Sequence, residues 1–231
     1  MSGSGVHVCK VICILSTLCC SKTGLSQHLF KLPAHTHLAN VEWRDSIYRF
    51  SQFEYGKITL DTGYSPEENV MLNYNWYFLQ MDMISIDGDT LQVKPIKELK
   101  LVTMGGHEFY HDYQIGYLEI LCQGFASLGA LNYLHTEKTE FHSGLGKVSG
   151  AIDVRGAPSE HDRFYKLVSR YYLLDAENKP VRATRRALVK LFKGHRNVIN
   201  AYIEDNHVNF ANESDLVRLL TFCNQLDQSR S

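Results

Sequence analysis

His107, Glu108 and His111 spell H-E-x-x-H within the stretch GGHEFYHDY (105–113). On a helix, two His four positions apart share one face and bind a single zinc ion, while the Glu activates the metal-bound water. On a strand, the same Cα atoms lie about 13 Å apart and cannot share an ion. A Gly-Gly pair stands directly before the motif, and the Tyr and Phe enrichment favours a strand. The sequence therefore predicts a strand here and no catalytic residue, with a zinc-dependent hydrolase as the alternative.

Other side chains are candidates for completing or replacing such a metal site. Glu119, Glu137 and Glu140 follow the motif as candidate third ligands, and no feature singles one of them out. His35 and His37 form a second candidate, but such a pair in an exposed segment is more often solvated. We therefore predict no metal site and no cofactor.

The polar and aromatic run LNYNWYF (72–78) is a candidate binding surface. Its Asn, Tyr and Trp side chains combine stacking area with hydrogen-bonding groups, which suits a sugar or a peptide. The same residue types also occur in protein cores, where their polar groups find internal partners. The core interpretation is favoured, and ligand binding is the alternative.

Asp82, Asp87 and Asp89 raise the question of calcium. Only Asp87 and Asp89 belong to one turn, whereas a calcium loop supplies more oxygen ligands from one short segment. Asp87-Gly88-Asp89 is instead typical of a tight hairpin turn, because Gly adopts positive φ without strain.

The basic run between Lys179 and Arg196 is a candidate docking surface for an anionic partner. On a helix its cations fall opposite the apolar residues, which is the pattern of a solvated face. The solvated face is the favoured interpretation.

Composition limits the classes of protein and of partner. With 231 residues and 44% hydrophobic composition, the chain can bury a real core in one large domain or two small ones. The 24 Lys and Arg residues nearly balance the 25 Asp and Glu residues. No broad positive field therefore draws the protein to nucleic acid, and we predict no nucleic-acid partner.

The N-terminus has the pattern of an export signal. Lys10 precedes the apolar run VICILSTLCC (11–20), which is too short to span a bilayer but suits a signal peptide. Small residues then place a cleavage site between Ser26 and Gln27. We predict a signal peptide over 1–26, a secreted or periplasmic location and no transmembrane span after cleavage. A lipoprotein anchored through Cys19 or Cys20 is the alternative.

Signal cleavage would leave only Cys122 and Cys223 of the six cysteines. In an oxidising compartment the two can form one disulfide. Both lie among apolar residues, however, where a buried free thiol packs as a small hydrophobic group, so both states of the cysteines are compatible with the sequence.

Residues 46–175 are predicted to form a β-rich domain, because short runs with a period of two alternate with turn residues. The candidate strands are 46–51, YGKITLD, VMLNYNWYF, LQMDMISI, TLQVKP, KLVTM, HEFYHDYQ, YLEILCQ, SLGALNYLH and FYKLVSRYYLL. The segment 27–45 before them is weakly patterned, and 136–162 is predicted to be a long loop. Such a series describes an antiparallel meander, curved or closed into an incomplete barrel.

The last part of the chain, 176–231, changes to helical spacing. Three short helices are predicted within ATRRALVKLF, RNVINAYIED and SDLVRLLTFCNQL, with Asn212 and Ser214 as caps of the third. The predicted fold is therefore mainly β (α+β), with a C-terminal helical segment packed on the sheet.

Several segments in their order resemble a set of exported proteins of Bacteroidetes. They are FEYGKITLDTG (53–63), LNYN (72–75), IDGDTL (86–91), GGHEFYHDYQIGYLEIL (105–121) and the closing run LVKLF…VINAYIEDNHVNF…DLVRLL. The resemblance covers most of the chain after the predicted signal peptide. It implies an exported, β-rich protein with a helical tail, and it carries no established activity and no catalytic residues.

Taken together, these features predict an exported, non-enzymatic protein that binds an envelope or extracellular ligand, or that has an envelope-associated role. The alternative is the zinc-dependent hydrolase based on His107, Glu108 and His111.

Overall fold

The computed structural model of the protein describes residues 29–32, 47–65, 69–137 and 163–228. Its strands form one open sheet in which neighbours pair antiparallel, and short helices follow near the C-terminus. The prediction of a mainly β fold with an antiparallel meander and a C-terminal helical segment is confirmed.

The sheet is an antiparallel meander in which most neighbouring strands are also consecutive in the chain. Its strands are β1 (Leu29–Leu32), β2 (Glu54–Leu60), β3 (Val70–Asn75), β4 (Gln80–Ile84), β5 (Thr90–Gln92), β6 (Leu99–Met104), β7 (His107–Asp112), β8 (Gly116–Cys122), β9 (Ser127–Glu137), β10 (Arg163–Leu174) and β11 (Pro180–Arg182). The order is β1-β10-β9-β8-β7-β6-β2-β3-β4-β5, and β11 pairs with β10. The hairpin predicted between β4 and β5 is present, with Gly88 at φ +87°.

The sheet curls strongly, so that strands far apart in its order meet. The amide of Leu134 in β9 donates to the carbonyl of Trp76, just after β3, over 3.0 Å. The hydroxyl of Tyr74 in β3 donates to the carbonyl of Asn132 in β9 over 3.2 Å. The predicted curvature is therefore present, and one face of the sheet becomes an inner face.

The cross-strand register places the two larger core clusters on this inner face. One cluster lies over β3, β4, β6, β7 and β8 and contains Leu72, Tyr74, Met81, Val102 and Phe109 among its buried residues. The other joins β9 and β10 to the helices. A smaller cluster of Leu118, Leu131 and Leu174 lies on the opposite face.

Three α-helices and one 3-10 helix follow β11. They are α1 (Arg185–Leu191), the 3-10 helix Lys193–His195, α2 (Arg196–Asp205) and α3 (Glu213–Gln228). Thr184 caps α1, because its hydroxyl accepts from the amide of Ala187. Asn212 caps α3 as predicted, by accepting from the amide of Asp215 over 3.0 Å, whereas Ser214 lies inside the helix. Their apolar residues pack on the inner face, which fixes the helices to β8, β9 and β10.

The strand predicted over 46–51 is wrong. In its described part, the backbone of Tyr48 forms an isolated bridge with Asn75 rather than a strand ladder, and bends follow. The side chain of Asn73 bonds both the amide and the carbonyl of Phe50. A side chain thus occupies backbone groups that a strand ladder would use.

The strand predicted over VMLNYNWYF is too long and ends at Asn75. The side-chain oxygen of Asn75 accepts from the amides of Tyr77 and Phe78, both over 3.0 Å. This Asn-centred turn stops the strand and starts the connection to β4.

Two short strands appear where none was predicted. β1 lies in the weakly patterned segment 27–45 and pairs with β10, and β11 lies in the segment 176–231. β9 extends to Glu137, into the predicted loop 136–162. The rest of that loop and the predicted signal peptide lie outside the described residues.

Candidate functional site

The H-E-x-x-H motif lies on strand β7, as predicted. Side chains alternate along a strand, so His107 and His111 share the inner face and Glu108 lies on the other. Nδ1 of His107 lies 2.9 Å from the carboxylate of Glu119, whereas Nδ1 of His111 lies 3.1 Å from the carbonyl of Leu99. The two imidazoles therefore have separate partners, and the helical geometry that a zinc peptidase needs is replaced by a strand.

Glu119 is the centre of a buried charge cluster. Its side chain is 5% exposed and accepts from Nε and a terminal nitrogen of Arg49, from His107 and from Asn132. Burial opposes its ionisation, but the hydrogen bonds from His107 and Arg49 outweigh burial and lower the pKa of Glu119 to about 2. Asn132 in turn accepts from the hydroxyl of Ser169 over 2.6 Å.

The charge cluster also reaches the helical segment. Glu213, the first residue of α3, is half-buried. Its burial, and to a smaller extent the negative charge of Glu119, raise the pKa of its carboxyl group, whereas Arg49 lowers it. We interpret the cluster as structural, because Glu119 uses its oxygens to join the segment before β2 to β7 and β9.

The polar and aromatic run at β3 is packed into the core. Asn73 and Asn75 are buried and bonded to neighbouring segments, and the buried Tyr74 bonds the backbone of β9. Burial raises the pKa of the Tyr74 hydroxyl above its usual value. These contacts use the hydrogen-bonding groups that a ligand would need, so they favour the core interpretation of this run.

Asp82 and Asp89 make separate sets of hydrogen bonds. Asp82 is buried and accepts from the hydroxyl of Tyr48 and the amides of Asn75 and Gln80. Asp89 belongs to the turn, where its carbonyl accepts from the amide of Ser85. Within the described ranges, no group of three or more His, Cys, Asp or Glu side chains is placed to hold a metal ion.

Cys122 and Cys223 are both free thiols, with Cys223 buried. His35, His37 and Glu140 lie outside the described residues.

The basic run forms a groove. Arg185, Arg186, Lys190 and Lys193, from α1 and the turn after it, face Arg196 and Asn200 of α2 across an open concavity of about 800 Å³. The five cations are all exposed. The helical pattern indicated a solvated face, whereas the structure brings the cations of two helices to one concave surface, which we call the basic groove.

Most cations of the basic groove have no carboxylate partner in the ranges that the structure describes. Arg185 is held by Glu204 at 2.6 Å and by the side-chain oxygen of Asn200 at 2.8 Å, and these contacts fasten α1 to α2. For the other four cations, no carboxylate partner lies within salt-bridge distance in the described part of the chain. Four of the five groove cations thus have no salt-bridge partner among the described residues, on a protein whose formal net charge is −1.

Sequence reasoning placed four of these cations correctly on α-helices, whereas Lys193 lies in the 3-10 helix after α1. It did not bring the cations together, because no local pattern in the sequence indicates the angle at which two helices pack. It also named Glu119 only as one of three candidate metal ligands and did not identify Arg49 as its partner. An acidic residue amid the apolar strand residues of YLEILCQ was the one available signal that a buried charge needed a partner.

The chain matches no protein-family model, no curated protein and no solved structure. Among the described residues, no helix is long and apolar enough to cross a membrane.

Proposed function

We propose that the protein is an exported, non-enzymatic binding protein that holds an anionic partner in the basic groove. The observation that carries this proposal is the convergence of Arg186, Lys190, Lys193 and Arg196 on one concavity without carboxylate partners among the described residues. Keeping like charges close together costs free energy in the isolated protein. An anionic partner removes that cost and gains charge-assisted hydrogen bonds.

The rest of the molecule supports a binding role over catalysis. The most buried ionisable cluster, around Glu119, is neutralised by its own neighbours. The strand geometry of β7 gives no support to the zinc-dependent hydrolase. Export is proposed from the sequence pattern of residues 1–26 and from the resemblance to exported proteins.

Binding is tested with a generic polyanion and two variants of equal charge. Labelled dextran sulfate is titrated with the protein at 50 and 200 mM NaCl, and fluorescence anisotropy is measured. The groove variant carries Gln at 186, 190, 193 and 196. The control variant carries Gln in place of four exposed lysines of the sheet region, Lys57, Lys94, Lys97 and Lys100.

We expect the wild type and the control variant to bind and the groove variant to bind at least about tenfold more weakly. Affinity should fall with salt. Equal weakening in both variants would show that only net charge matters, and no binding by the wild type would also refute the proposal.

Export is tested separately by fusing residues 1–26 to a reporter enzyme that is active only outside the cytoplasm. We expect an active reporter whose N-terminal sequencing starts just after Ser26. An inactive, uncleaved fusion would refute the export part of the proposal and leave the groove unaffected.

A further inference from the structure

The chemistry of the basic groove also limits which anion it takes, an inference that rests on the proposed function. Arg and Lys side chains only donate hydrogen bonds. The one other polar side chain of the lining, Asn200, has its oxygen engaged by Arg185, so its amide hydrogens remain. The groove is therefore a surface of donors, and its ligand must supply acceptors that carry negative charge.

The lining offers no stacking surface. Val189 is its only apolar residue, and none of the lining residues is aromatic. Proteins that hold single-stranded nucleic acid combine cations with aromatic side chains on which bases stack, and sugar rings are commonly held against aromatic faces. The basic groove thus lacks the aromatic side chains that a nucleic-acid or glycan site combines with its cations.

The groove is also unsuited to a lipid surface. Helices that lie on membranes present a broad apolar face to the bilayer. Here the apolar faces of α1 and α2, with Leu188, Ile199 and Ile203, are buried against the sheet. A flat bilayer also cannot enter a concavity between two helices.

The spacing of the cations fits an extended polypeptide. Arg186 and Lys190 lie one helical turn apart, about 6 Å along the axis of α1. Lys193 lines the groove just beyond the end of that helix, and Arg196 faces it from the start of α2. In an extended chain, alternate side chains on one side lie about 6.6 Å apart. Carboxylates at alternate positions therefore match the spacing of Arg186 and Lys190, and Lys193 and Arg196 add positive charge at the end of that pair and across from it.

We infer that the basic groove binds an acidic segment of a partner protein, in extended conformation, with Asp or Glu at alternate positions. Affinity comes from carboxylates that meet guanidinium and ammonium groups, and specificity comes from their spacing along the groove.

The test uses two labelled peptides of about twelve residues, one of alternating Glu and Gly and one in which Gln replaces every Glu. Anisotropy is measured with the wild type, the groove variant and the control variant described above. Competing probes are an oligothymidylate of equal charge, polygalacturonate and phosphatidylglycerol vesicles. We expect the Glu peptide to bind the wild type and the control variant, and the Gln peptide and the groove variant to give at least about tenfold weaker binding.

The outcomes separate this inference from the proposed function. Binding of dextran sulfate at the groove without binding of the Glu peptide would overturn the inference and leave the proposed function intact. Tighter binding of the oligonucleotide, polygalacturonate or vesicles than of the peptide would also overturn it. Failure of every anion would refute both.

Folding of the groove variant is checked by circular dichroism. If the quadruple substitution unfolds the protein, Arg186→Gln and Lys190→Gln are tested singly. Each is expected to weaken peptide binding by about threefold while the melting temperature stays unchanged, because both side chains are exposed. Unchanged binding in both single variants would overturn the inference.

Discussion

Replacing Glu119 with glutamine removes the negative charge at the centre of the buried charge cluster. The difference between the ordinary pKa of 4.5 and the folded value of about 2 corresponds to about 3 kcal/mol of stabilisation at neutral pH. Breaking one partner out of a buried ion pair costs about 3–5 kcal/mol. The side chains of Arg49 and His107 are 27% and 38% exposed, so water partly solvates them after the change and the lower end applies. We expect Glu119→Gln to lower the free energy of unfolding by about 3 kcal/mol at pH 7.

The lowered pKa of Glu119 also predicts how its contribution to the free energy of unfolding changes with pH. The folded pKa of Glu119 lies below the unfolded value, so the stabilisation is fully present above about pH 4.5 and is lost as the pH falls toward 2. The difference between wild type and Glu119→Gln should therefore shrink to less than half near pH 3.

The assay is urea unfolding followed by tryptophan fluorescence at pH 7 and pH 3, with the buried Trp76 as a reporter. Glu108→Gln is the matched control, because Glu108 lies on the neighbouring strand β7, on the opposite face of the sheet from Glu119, and bonds the exposed Gln123. The control should change stability by about 0.5 kcal/mol or less. A variant at position 119 as stable as the wild type, or a loss of equal size at both pH values, would refute the reasoning.

Three further predictions concern packing. Gly56→Ala places a Cβ against the carbonyl oxygen of Thr103 in β6 and should lower the free energy of unfolding by about 2 kcal/mol or more. The neighbouring exposed Lys57→Ala should change it by about 0.5 kcal/mol or less, with both variants measured in urea. Asn224→Ala removes two buried hydrogen bonds to the backbone of Ala126 and should lower the free energy of unfolding by about 2 kcal/mol. Hydrogen exchange at the amide of Ala126 should become faster, and an unchanged exchange rate would contradict the prediction. Burial raises the pKa of Cys223 to about 12, so iodoacetamide at pH 8 should label this thiol only after unfolding, and equal labelling of the folded protein would count against its burial.

The period-two pattern was sufficient to predict most of the sheet. HEFYHDYQ alternates so that Phe109 and His111 fall on one side, and both are buried on the inner face of β7. The turn at Gly88 was predictable because only a residue tolerant of positive φ fits there. These features depend on neighbours in the chain, so the sequence carries them directly.

Long-range contacts account for what was missed. Arg49 and Glu119 are 70 positions apart, and nothing near either residue indicates the other. The strand predicted at 46–51 failed because Asn73 competes for its backbone groups, which is a tertiary effect. The basic groove likewise depends on how α1 and α2 pack, and only their separate charge patterns were readable.

The contact between Asn224 and Ala126 spans 98 positions, and it has a consequence for biosynthesis. Asn224, which bonds the amide and the carbonyl of Ala126 in the connection between β8 and β9, belongs to α3, which is translated after the whole sheet. Until α3 packs, Leu128, Ala130 and Leu173 lack the part of their apolar cover that α3 supplies on the inner face. The nascent chain therefore exposes an apolar surface late in its synthesis. A chain that stops before α3 presents that surface permanently to chaperones and proteases.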